Sequence, residues 1–538
     1  MKNHIFFYPF LLIIALLFLS TSGLAQHGHG GNAGENMPKG YHDPIKLYSS
    51  ALGEHSWEIT TADTLAQAYF KQGLQLKYAF GVNEAARSFR QARMIDTLCA
   101  PCYWGEAWAL GSYLNGAMNK AKAPLALQAI RKAAALAPDH ASSVEQALIE
   151  ALTVRYIEDY DPDQRALQDT AYAEAMAKVY EQFPDHAEVA TIYAEALFLL
   201  EPRRGTRSME KPEVLKIHSI LEKVLDEDIQ HPGACHLYIH ATESTNRPDL
   251  GESCAAFIGN AIPGASHINH MPSHTYNEVG RWGESVRANL QAWHTDQKAK
   301  VDQAIAIYPS HNLHMLYYAA SFDGQGAIAI QAARDFARMT ENTMHLVLAL
   351  VRFGRFEEVL EVENRPSGDI SGGMWDFARG YAHLRQGDVD FAEVYLKRVS
   401  TIADTSEAKY RGHPAAHILG VLAGILESEI QRDAGNLDST IAILEKTVAL
   451  EDSMQYDEPE PMPFDARHWL GAALIEAGQY ATAEEVYLTE LEDHPRNGWS
   501  YFGLLQALEQ QQKDTSTVLQ QFEEAWARAD HWIRASRF

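Results

Sequence analysis

Apolar residues recur at helical spacing along most of the chain. From about residue 63 onward, Ala-rich stretches carry apolar side chains at positions i, i+3, i+4 and i+7, which is the spacing of one face of an α-helix. The alternating apolar and polar positions that are typical of half-buried strands are nearly absent. The pattern therefore predicts an all-α fold.

The predicted helices recur in pairs with the same small and large residues. The clearest pair has Leu470 and Gly471 on its first helix, Ala483 and Tyr487 on its second, and Pro495 as the breaker that follows. Three further pairs repeat this arrangement: Gly73, Ala85, Phe89 and Ala92; Ala126, Ile130, Ala133 and Pro138; and Gly380, Ala392 and Leu396. These offsets are similar to those of the tetratricopeptide repeat (TPR), a helix-turn-helix unit of 34 residues. Such hairpins stack because none buries its apolar face alone, so a right-handed superhelical solenoid is predicted, with the first helices lining its concave groove.

The chain is expected to divide into five segments. They are a signal peptide (1–25), a flexible N-terminal segment (26–62), N-terminal TPR hairpins (63–230), His-rich central hairpins (231–345) and C-terminal hairpins (346–538). Irregular spacing between the pairs predicts insertions near residues 115–122, 202–212 and 451–465. The last insertion is acidic and Pro-rich, and a solvated connection is favoured there over a lid across the groove.

An apolar run near the start of the chain predicts export. Ile5 to Leu19 are apolar and follow Lys2, and small residues lead to Ala25, after which cleavage is expected. Fifteen residues are short for a membrane span, and no later run approaches the ~20 that a span needs. We therefore expect an exported, periplasmic protein, with secretion as the alternative and without stable membrane insertion after cleavage.

The charge balance excludes one class of partner. Among 538 residues, 71 are acidic and 45 basic, for a formal charge of −26. A field of this sign repels phosphate backbones, so nucleic-acid binding is not expected. No phosphate loop or dinucleotide fingerprint stands in a strand context, and no nucleotide cofactor is expected.

Four cysteines form two candidate pairs. Cys99 and Cys102 lie in C-A-P-C, which suits a redox pair, half of a metal site or a short structural disulfide, the last being favoured. Cys235 and Cys254 fall on consecutive predicted helices and suit a disulfide that joins a hairpin. An exported protein permits both bonds.

Histidines are concentrated in the central hairpins. Residues 231–314 hold nine of the 24 histidines. His236, His240 and Glu243 follow each other at i, i+4 and i+7, which places them on one helix face. In the next hairpin His267, His270 and His274 lie at i, i+3 and i+7, although Pro272 predicts either a helix start near Met271 or a kink. His311 and His314 begin a further first helix.

Two registers relate the first two clusters. A step of 34 residues carries His236 to His270 and His240 to His274, which predicts matching ladders on neighbouring first helices. A step of 32, anchored on the second helices, would turn His236 and His240 toward the adjoining helix. Isolated histidines, such as His345, are expected to be surface residues or satisfied core residues.

The clustered histidines suit a transition-metal site. Imidazole binds first-row transition ions, and the set exceeds one tetrahedral shell, so either a two-metal centre or one centre with outer-shell histidines is expected. The candidate ligands are His236, His240, Glu243, His267, His270, His274, His311 and His314. Copper, zinc, iron and manganese are all compatible. The patterns identify no catalytic residue, and Tyr238, Tyr276 or Asn277 is expected to donate hydrogen bonds next to the metal ligands.

Two functions are compatible with these patterns. The first is a metal-dependent protein, with catalysis left open, that encloses a small molecule or peptide in the groove. The second is a non-catalytic TPR scaffold that binds a peptide or partner protein there, with histidines as polar contacts.

Several motifs together resemble one family. They are F-x-x-x-E-A-x-x-S-F (Phe80–Phe89), C-Y-W-G-E-A (Cys102–Ala107), H-x-Y-I-H-A-x-E, H-M-P-S-H, H-N-L-H, Y-D-E-P (Tyr456–Pro459) and N-G-W-S-Y-F-G-L (Asn497–Leu504). The combination is similar to that of a family of exported bacterial TPR proteins and spans about residues 63–510. This resemblance implies a bacterial, periplasmic protein with a one-piece repeat fold. It implies no particular reaction.

Overall fold

The computed structural model describes residue 37 and residues 40–202 and 205–538. The predicted signal peptide, residues 1–25, lies outside the described residues.

The described residues are helical throughout, apart from connecting loops, two 3-10 turns and one short β-hairpin. The first thirteen helices are α1 (Thr64–Tyr78), α2 (Val82–Ile95), α3 (Ala100–Leu110), α4 (Ala123–His140), α5 (Ser143–Thr153), α6 (Arg165–Gln182), α7 (Ala187–Phe198), α8 (Pro212–Glu227), α9 (Pro232–Thr242), α10 (Glu252–Ile258), α11 (Ser266–His270), α12 (Pro272–Glu278) and α13 (Trp282–Ala299). The later helices are α14 (Pro309–Phe322), α15 (Gly326–Thr340), α16 (Met344–Arg352), α17 (Phe356–Glu361), α18 (Asp369–Arg385), α19 (Val389–Thr405), α20 (Ala415–Asp433), α21 (Leu437–Glu451), α22 (Arg467–Glu476), α23 (Tyr480–Asp493), α24 (Gly498–Gln510) and α25 (Ser516–Trp526). The hairpin pairs β1 (Lys409–Tyr410) with β2 (His413–Pro414), antiparallel.

Helices pack as stacked hairpins. Nearly every helix contacts its successor, and several alternate helices also contact one another, as α1 does α3, α16 does α18 and α22 does α24. First helices of neighbouring hairpins therefore pack side by side in these parts of the chain. This arrangement confirms the predicted all-α solenoid of TPR-type hairpins. No helix among the described residues is both long and apolar enough to cross a bilayer.

Glycines allow large side chains to fill the space between hairpins. A Cβ on Gly73 would lie 2.7 Å from the Phe89 ring, and one on Gly105 would lie 2.5 Å from it. Gly471 and Gly503 face the Tyr487 ring in the same way. One aromatic ring on a second helix thus occupies the gap between two first helices, as the small and large offsets predict.

The N-terminal segment packs on the solenoid. Residues 40–62 contain no helix, but Tyr41, Ile45 and Ile59 are buried. Gln75 on α1 accepts a hydrogen bond from the backbone of Gly53 and donates one back to it. The prediction of a flexible segment is therefore wrong for residues 40–62, because buried side chains and satisfied backbone groups anchor them.

The acidic insertion is buried as well. Asp457 and Glu458 are each 4% exposed, and Phe464 is 1% exposed. Arg411, next to the β-hairpin, binds Asp457 with Nε 2.8 Å from Oδ2. The prediction of a solvated connection is wrong here, since a paired charge and apolar side chains hold the loop inside the solenoid.

Two apolar cores meet at the central hairpins. One core runs from Tyr41 to Ile307 and the other from Trp282 to Phe538. The later hairpins return to the middle of the chain, where Trp282 Nε1 donates to Pro495 O at 3.0 Å. The histidine-bearing helices α9, α11, α12 and α14 lie where the two cores adjoin.

All four cysteines are paired. Cys99 and Cys102 form a disulfide at the start of α3, and Cys235 and Cys254 form one that joins α9 to α10. The structure thus has the favoured structural disulfide in C-A-P-C and the predicted hairpin bond. None of the thiols is left for metal binding.

Substitution of Gly105 tests the ring between hairpins. We expect Gly105→Ala to lower the free energy of unfolding by about 1–3 kcal/mol, because the new methyl overlaps the fully buried Phe89 ring. Urea unfolding measures the change. In a Phe89→Leu background, Gly105→Ala should lower the free energy of unfolding by clearly less. An equal decrease in both backgrounds would show that overlap with the Phe89 ring does not cause the destabilisation.

Candidate metal centre

Three neighbouring first helices carry the predicted ligands into one buried region. α9 supplies His236 and His240, with Glu243 as the residue that follows the helix. The second first helix is divided into α11, which contributes His267 and His270, and α12, which contributes His274. The third is α14, which contributes His311 and His314. All eight side chains are buried. Since α9 and α11 begin 34 residues apart, at Pro232 and Ser266, the first helices follow the 34-residue register.

Pro272 marks a break within one first helix, and α12 begins at this residue. Met271 has φ −50° and ψ −36°, so the chain stays in the α region between α11 and α12. Pro272 opens α12, where its missing N–H costs no hydrogen bond. His267, His270 and His274 therefore remain on one face across the break.

Buried polar contacts fix the ends of these helices relative to each other. Ser266 Oγ, at the start of α11, accepts a hydrogen bond from Ile307 N at 2.8 Å. Asn312 on α14 donates to Asp296 Oδ2 at 2.9 Å. Burial raises the pKa of Asp296 to about 7, although hydrogen bonds from Ser266 and Asn312 act in the opposite direction.

The first triad consists of His236, His240 and His267. Ligand atoms of these rings lie within 4.8 Å of one another. His236 Nδ1 donates to Tyr78 O at 2.5 Å, which leaves Nε2 as the lone-pair nitrogen. Among the described residues, His236 Nε2 and both ring nitrogens of His267 have no hydrogen-bond partner. Phe80 covers the triad, with its ring centroid 4.2 Å from that of His236.

The second triad consists of His270, His274 and His311. Its Nε2 atoms converge: His270 Nε2 lies 2.7 Å from His274 Nε2 and 3.0 Å from His311 Nε2. Three such atoms bound to one ion at ~2.0–2.1 Å would lie about 3.3 Å apart. The observed spacing is slightly tighter than that of a tetrahedral metal site.

The opposite edge of the His270 ring is fixed by Asn289. Asn289 Nδ2 donates to Ser285 O at 2.9 Å, so its Oδ1 faces His270 Nδ1 at 2.7 Å. His270 Nδ1 must then carry the proton, and Nε2 presents a lone pair to the second triad. Metal-binding histidines are usually oriented in this way, by a bond from the other ring nitrogen.

Two carboxylates connect the triads. Glu243 accepts from His240 Nδ1 at 2.8 Å and from His274 Nδ1 at 2.5 Å. Glu458, from the buried acidic loop, places Oε2 3.0 Å from His274 Nδ1. The sequence patterns predict Glu243 but not Glu458, because the loop has no periodicity that would place it near α12.

The electrostatics favour bound positive charge at the second triad. Burial holds the pKa values of His236, His267 and His270 well below the usual range, so these rings are neutral and suited to metal binding. For His274, burial is outweighed by Glu243 and Glu458, which raise its pKa to about 9. Lone pairs that converge on one point need a cation between them, and a proton or a metal ion can supply it.

His314 lies outside both triads. Its ring stacks on His345 of α16, with centroids 4.1 Å apart. His345 is buried, and neither of its ring nitrogens has a partner among the described residues, which differs from the predicted satisfied residue. His345 follows His311 by 34 residues, and this repeat step is the sequence signal that could have placed His345 beside the other buried histidines.

The two tyrosines expected to donate hydrogen bonds beside the metal ligands contact other residues. Tyr238 OH donates to Glu222 at 2.7 Å, and the Tyr276 ring packs under Arg281 at 4.5 Å. These contacts direct Tyr238 to Glu222 on α8 and Tyr276 to Arg281, and not to the triads. Asn277 instead lines a cavity beside His274.

A further histidine–carboxylate cluster lies between the N-terminal segment and α7. His55 Nε2 lies 2.8 Å from Glu188 Oε1, and His231 Nε2 lies 3.5 Å from it. His231 Nδ1 accepts from Ala234 N, so Nε2 carries the proton and has no lone pair for a metal. This cluster is a hydrogen-bonded group at the start of α9.

The fold defines a repeat protein of stacked helix hairpins, and the site defines within it a buried histidine–carboxylate centre. No known protein family and no curated protein sequence matches the chain. Among solved structures, it is similar to the human IFIT1 dimer with m7Gppp-AAAA, at 10% identity over 84% of this chain and 94% of that chain, with a TM-score of 0.32. It is also similar to the Cut9–Hcn1 hetero-tetramer of APC/C, at 13% identity over 87% of this chain and 74% of that chain, with a TM-score of 0.29. The P58(IPK) TPR domain is 12% identical over 83% of this chain and 98% of that chain, with a TM-score of 0.21. Likeness at this level says nothing about the function of this chain.

Replacing Asn289 tests how His270 is oriented. Asn289→Leu removes the acceptor for a buried N–H, and we expect the free energy of unfolding to fall by about 1–3 kcal/mol. Asn260→Leu makes the same chemical change at an exposed position and should cost about 0.5 kcal/mol or less. Equal losses in urea unfolding would contradict the assigned hydrogen bond.

Asp296 should make the metal-free protein less stable as pH rises. Its pKa is about 7 in the folded protein and ~3.9 in the unfolded chain, so the unfolded chain loses its proton first between these values. The wild type should therefore lose about 2–4 kcal/mol relative to Asp296→Asn between pH 4 and pH 8. Unfolding of both proteins across this range measures the difference, and a constant difference would show an ordinary pKa.

Proposed function

We propose that the protein holds a two-metal centre of transition ions inside its solenoid, with one ion at each histidine triad. The observation that carries this proposal is the convergence of the Nε2 atoms of the second triad, with distances of 2.7 and 3.0 Å from His270 Nε2. Three protein nitrogens for each ion leave a coordination position open, which is typical of catalytic sites.

The ring nitrogens that face away from the centre support the same proposal. Nδ1 of His236 donates to a backbone carbonyl, Nδ1 of His240 and His274 to Glu243, and Nδ1 of His270 to Asn289. Such bonds fix the ring orientation and raise the basicity of the ligand nitrogen. In this proposal Glu243 positions one ring from each triad.

One ion between the triads is a second arrangement. His240, Glu243, His274 and Glu458 offer ligand atoms within 4.8 Å of one another. A tetrahedral ion there would use the same carboxylate oxygens that accept from the two rings. Metal stoichiometry distinguishes the two arrangements.

The donor set narrows the choice of metal. Imidazole nitrogens dominate both triads, and the cysteines are in disulfides. Imidazole suits copper, zinc and iron, whereas manganese prefers oxygen ligands. When bound, such an ion supplies Lewis-acid or redox chemistry to a small molecule at its open position.

The enclosed groove favours a small substrate over a peptide. Residues 40–62 contact α1 and α7 through Gln75 and Glu188, and the acidic loop reaches α12 through Glu458. These segments cover parts of the inner helices on which an extended peptide would bind in a TPR scaffold. A scaffold function would therefore require the partner to bind on the outer surface of the solenoid.

Export is part of the proposal. It is based on the apolar run before Ala25, and the two cysteine pairs support an oxidising compartment such as the periplasm.

Metal content tests the two-metal centre directly. We expect about two transition ions per chain, measured by elemental analysis of the purified protein. The double variant His236→Ala, His240→Ala should keep about one ion because it lacks the first triad, and His270→Ala, His311→Ala should keep about one because it lacks the second. Chelation should lower the melting temperature of the wild type by several degrees.

The exposed His294 provides the matched control, and His294→Ala should keep both ions. Equal metal content in the wild type and both double variants would contradict the proposal. A wild type with a single ion, which His270→Ala, His311→Ala retains and His236→Ala, His240→Ala loses, would instead support the arrangement between the triads.

A further inference from the structure

A cavity of about 40 Å³ adjoins the second triad. Its inner wall includes His274 and Glu458, whose side chains are 1% and 3% exposed. Its rim includes Glu460 and Asp493, whose side chains are 49% and 59% exposed. The cavity therefore leads from solvent to the metal centre, with room for about three water molecules or a ligand of that size.

The charged groups that line this cavity are mostly acidic. Glu278 joins the three acidic residues named above, and Asp457 is paired with Arg411. Two histidines, His274 and His494, lie among these four acidic groups, and His494 Nε2 is 3.4 Å from Glu460 Oε2. Burial, followed by repulsion from Glu460, raises the pKa of Glu278 to about 8, so this side chain is protonated near neutral pH and a bound cation would favour its carboxylate form. Acidic walls of this kind concentrate cations.

A buried amide oxygen also faces the cavity. Asn277 is 6% exposed, and its Nδ2 is directed at Met315 Sδ, 3.8 Å away. Its Oδ1 accepts no hydrogen bond from the described residues. A buried acceptor without a donor is costly, so this oxygen indicates a ligand that donates hydrogen bonds.

Aromatic rings complete the wall. Trp282 and Tyr318 are buried and line the cavity beside the carboxylates. Ring faces attract organic cations such as ammonium groups. Hard divalent ions such as Mg²⁺ and Ca²⁺ instead prefer a shell of oxygen ligands, so the mixture of rings, carboxylates and an amide favours an alkylammonium.

We propose that this cavity binds a small aliphatic ammonium ion, with its N–H groups directed at Asn277 Oδ1 and the carboxylates. Its role as the substrate of the adjoining centre rests on the proposed metal function. Binding itself does not, because the lining residues form the cavity without a metal.

Binding of ethylammonium to metal-free protein tests the cavity. Isothermal titration should give a Kd near the millimolar range, which is the limit for a ligand of three non-hydrogen atoms. Ethanol has the same number of such atoms and no charge, and it should bind at least ten-fold more weakly. Glu460→Gln, at the exposed rim, and Asn277→Leu should each weaken ethylammonium binding about five-fold or more. Glu213→Gln removes an exposed carboxylate on α8 and should leave it unchanged.

Three outcomes would overturn the ammonium site. The first is equal binding of ethanol and ethylammonium, and the second is ethylammonium binding that neither cavity variant weakens. The third is a protein that does not bind ethylammonium but binds Mn²⁺, with the Mn²⁺ binding abolished by Glu460→Gln. The last outcome would identify the cavity as an entry path for metal. Ethylammonium binding by a protein that takes up no transition ion when metal is supplied would support the cavity site and contradict the two-metal centre alone.

Discussion

The burial of six imidazoles at one junction of a helical solenoid is the constraint on which the rest of this structure depends. Buried polar rings are costly unless their nitrogens are bonded, and here Tyr78 O, Glu243 and Asn289 accept from the Nδ1 atoms. Those bonds determine where the Nε2 lone pairs point. Convergence of the lone pairs then requires positive charge at the centre, which Glu243 and Glu458 further stabilise.

Two segments cover the inner helices around this junction and reduce the open groove of the solenoid. Open TPR grooves suit extended peptides, but here residues 40–62 and the loop that carries Asp457 and Glu458 pack on the inner helices. The return of the later hairpins to Trp282 encloses the centre further. An enclosed site of low polarity strengthens electrostatic interactions, which is an advantage for chemistry on a small molecule.

The acidic residues at the mouth of the cavity have the same sign of charge as the chain as a whole. A formal charge of −26 gives the molecule a field that attracts cations, and the rim residues Glu460 and Asp493 lie at the mouth of a cavity beside the second triad. One field therefore suits both the loading of metal ions and the approach of a positively charged ligand. We propose that the histidines of the triads serve metal binding, whereas the acidic groups of the cavity serve ligand binding.

Local periodicity was enough to determine the helices, the glycines that face Phe89 and Tyr487, and the histidines that share a face on α9, α11 and α12. Each of these depends on spacing within one hairpin or one repeat, which a helix converts directly into position. Tertiary structure alone decided that Glu458 meets His274, that the His314 ring stacks on His345 and that Tyr238 donates to Glu222. Glu458 stands in an irregular loop far along the chain from His274, and only the return of the later hairpins onto the middle of the solenoid brings the two together.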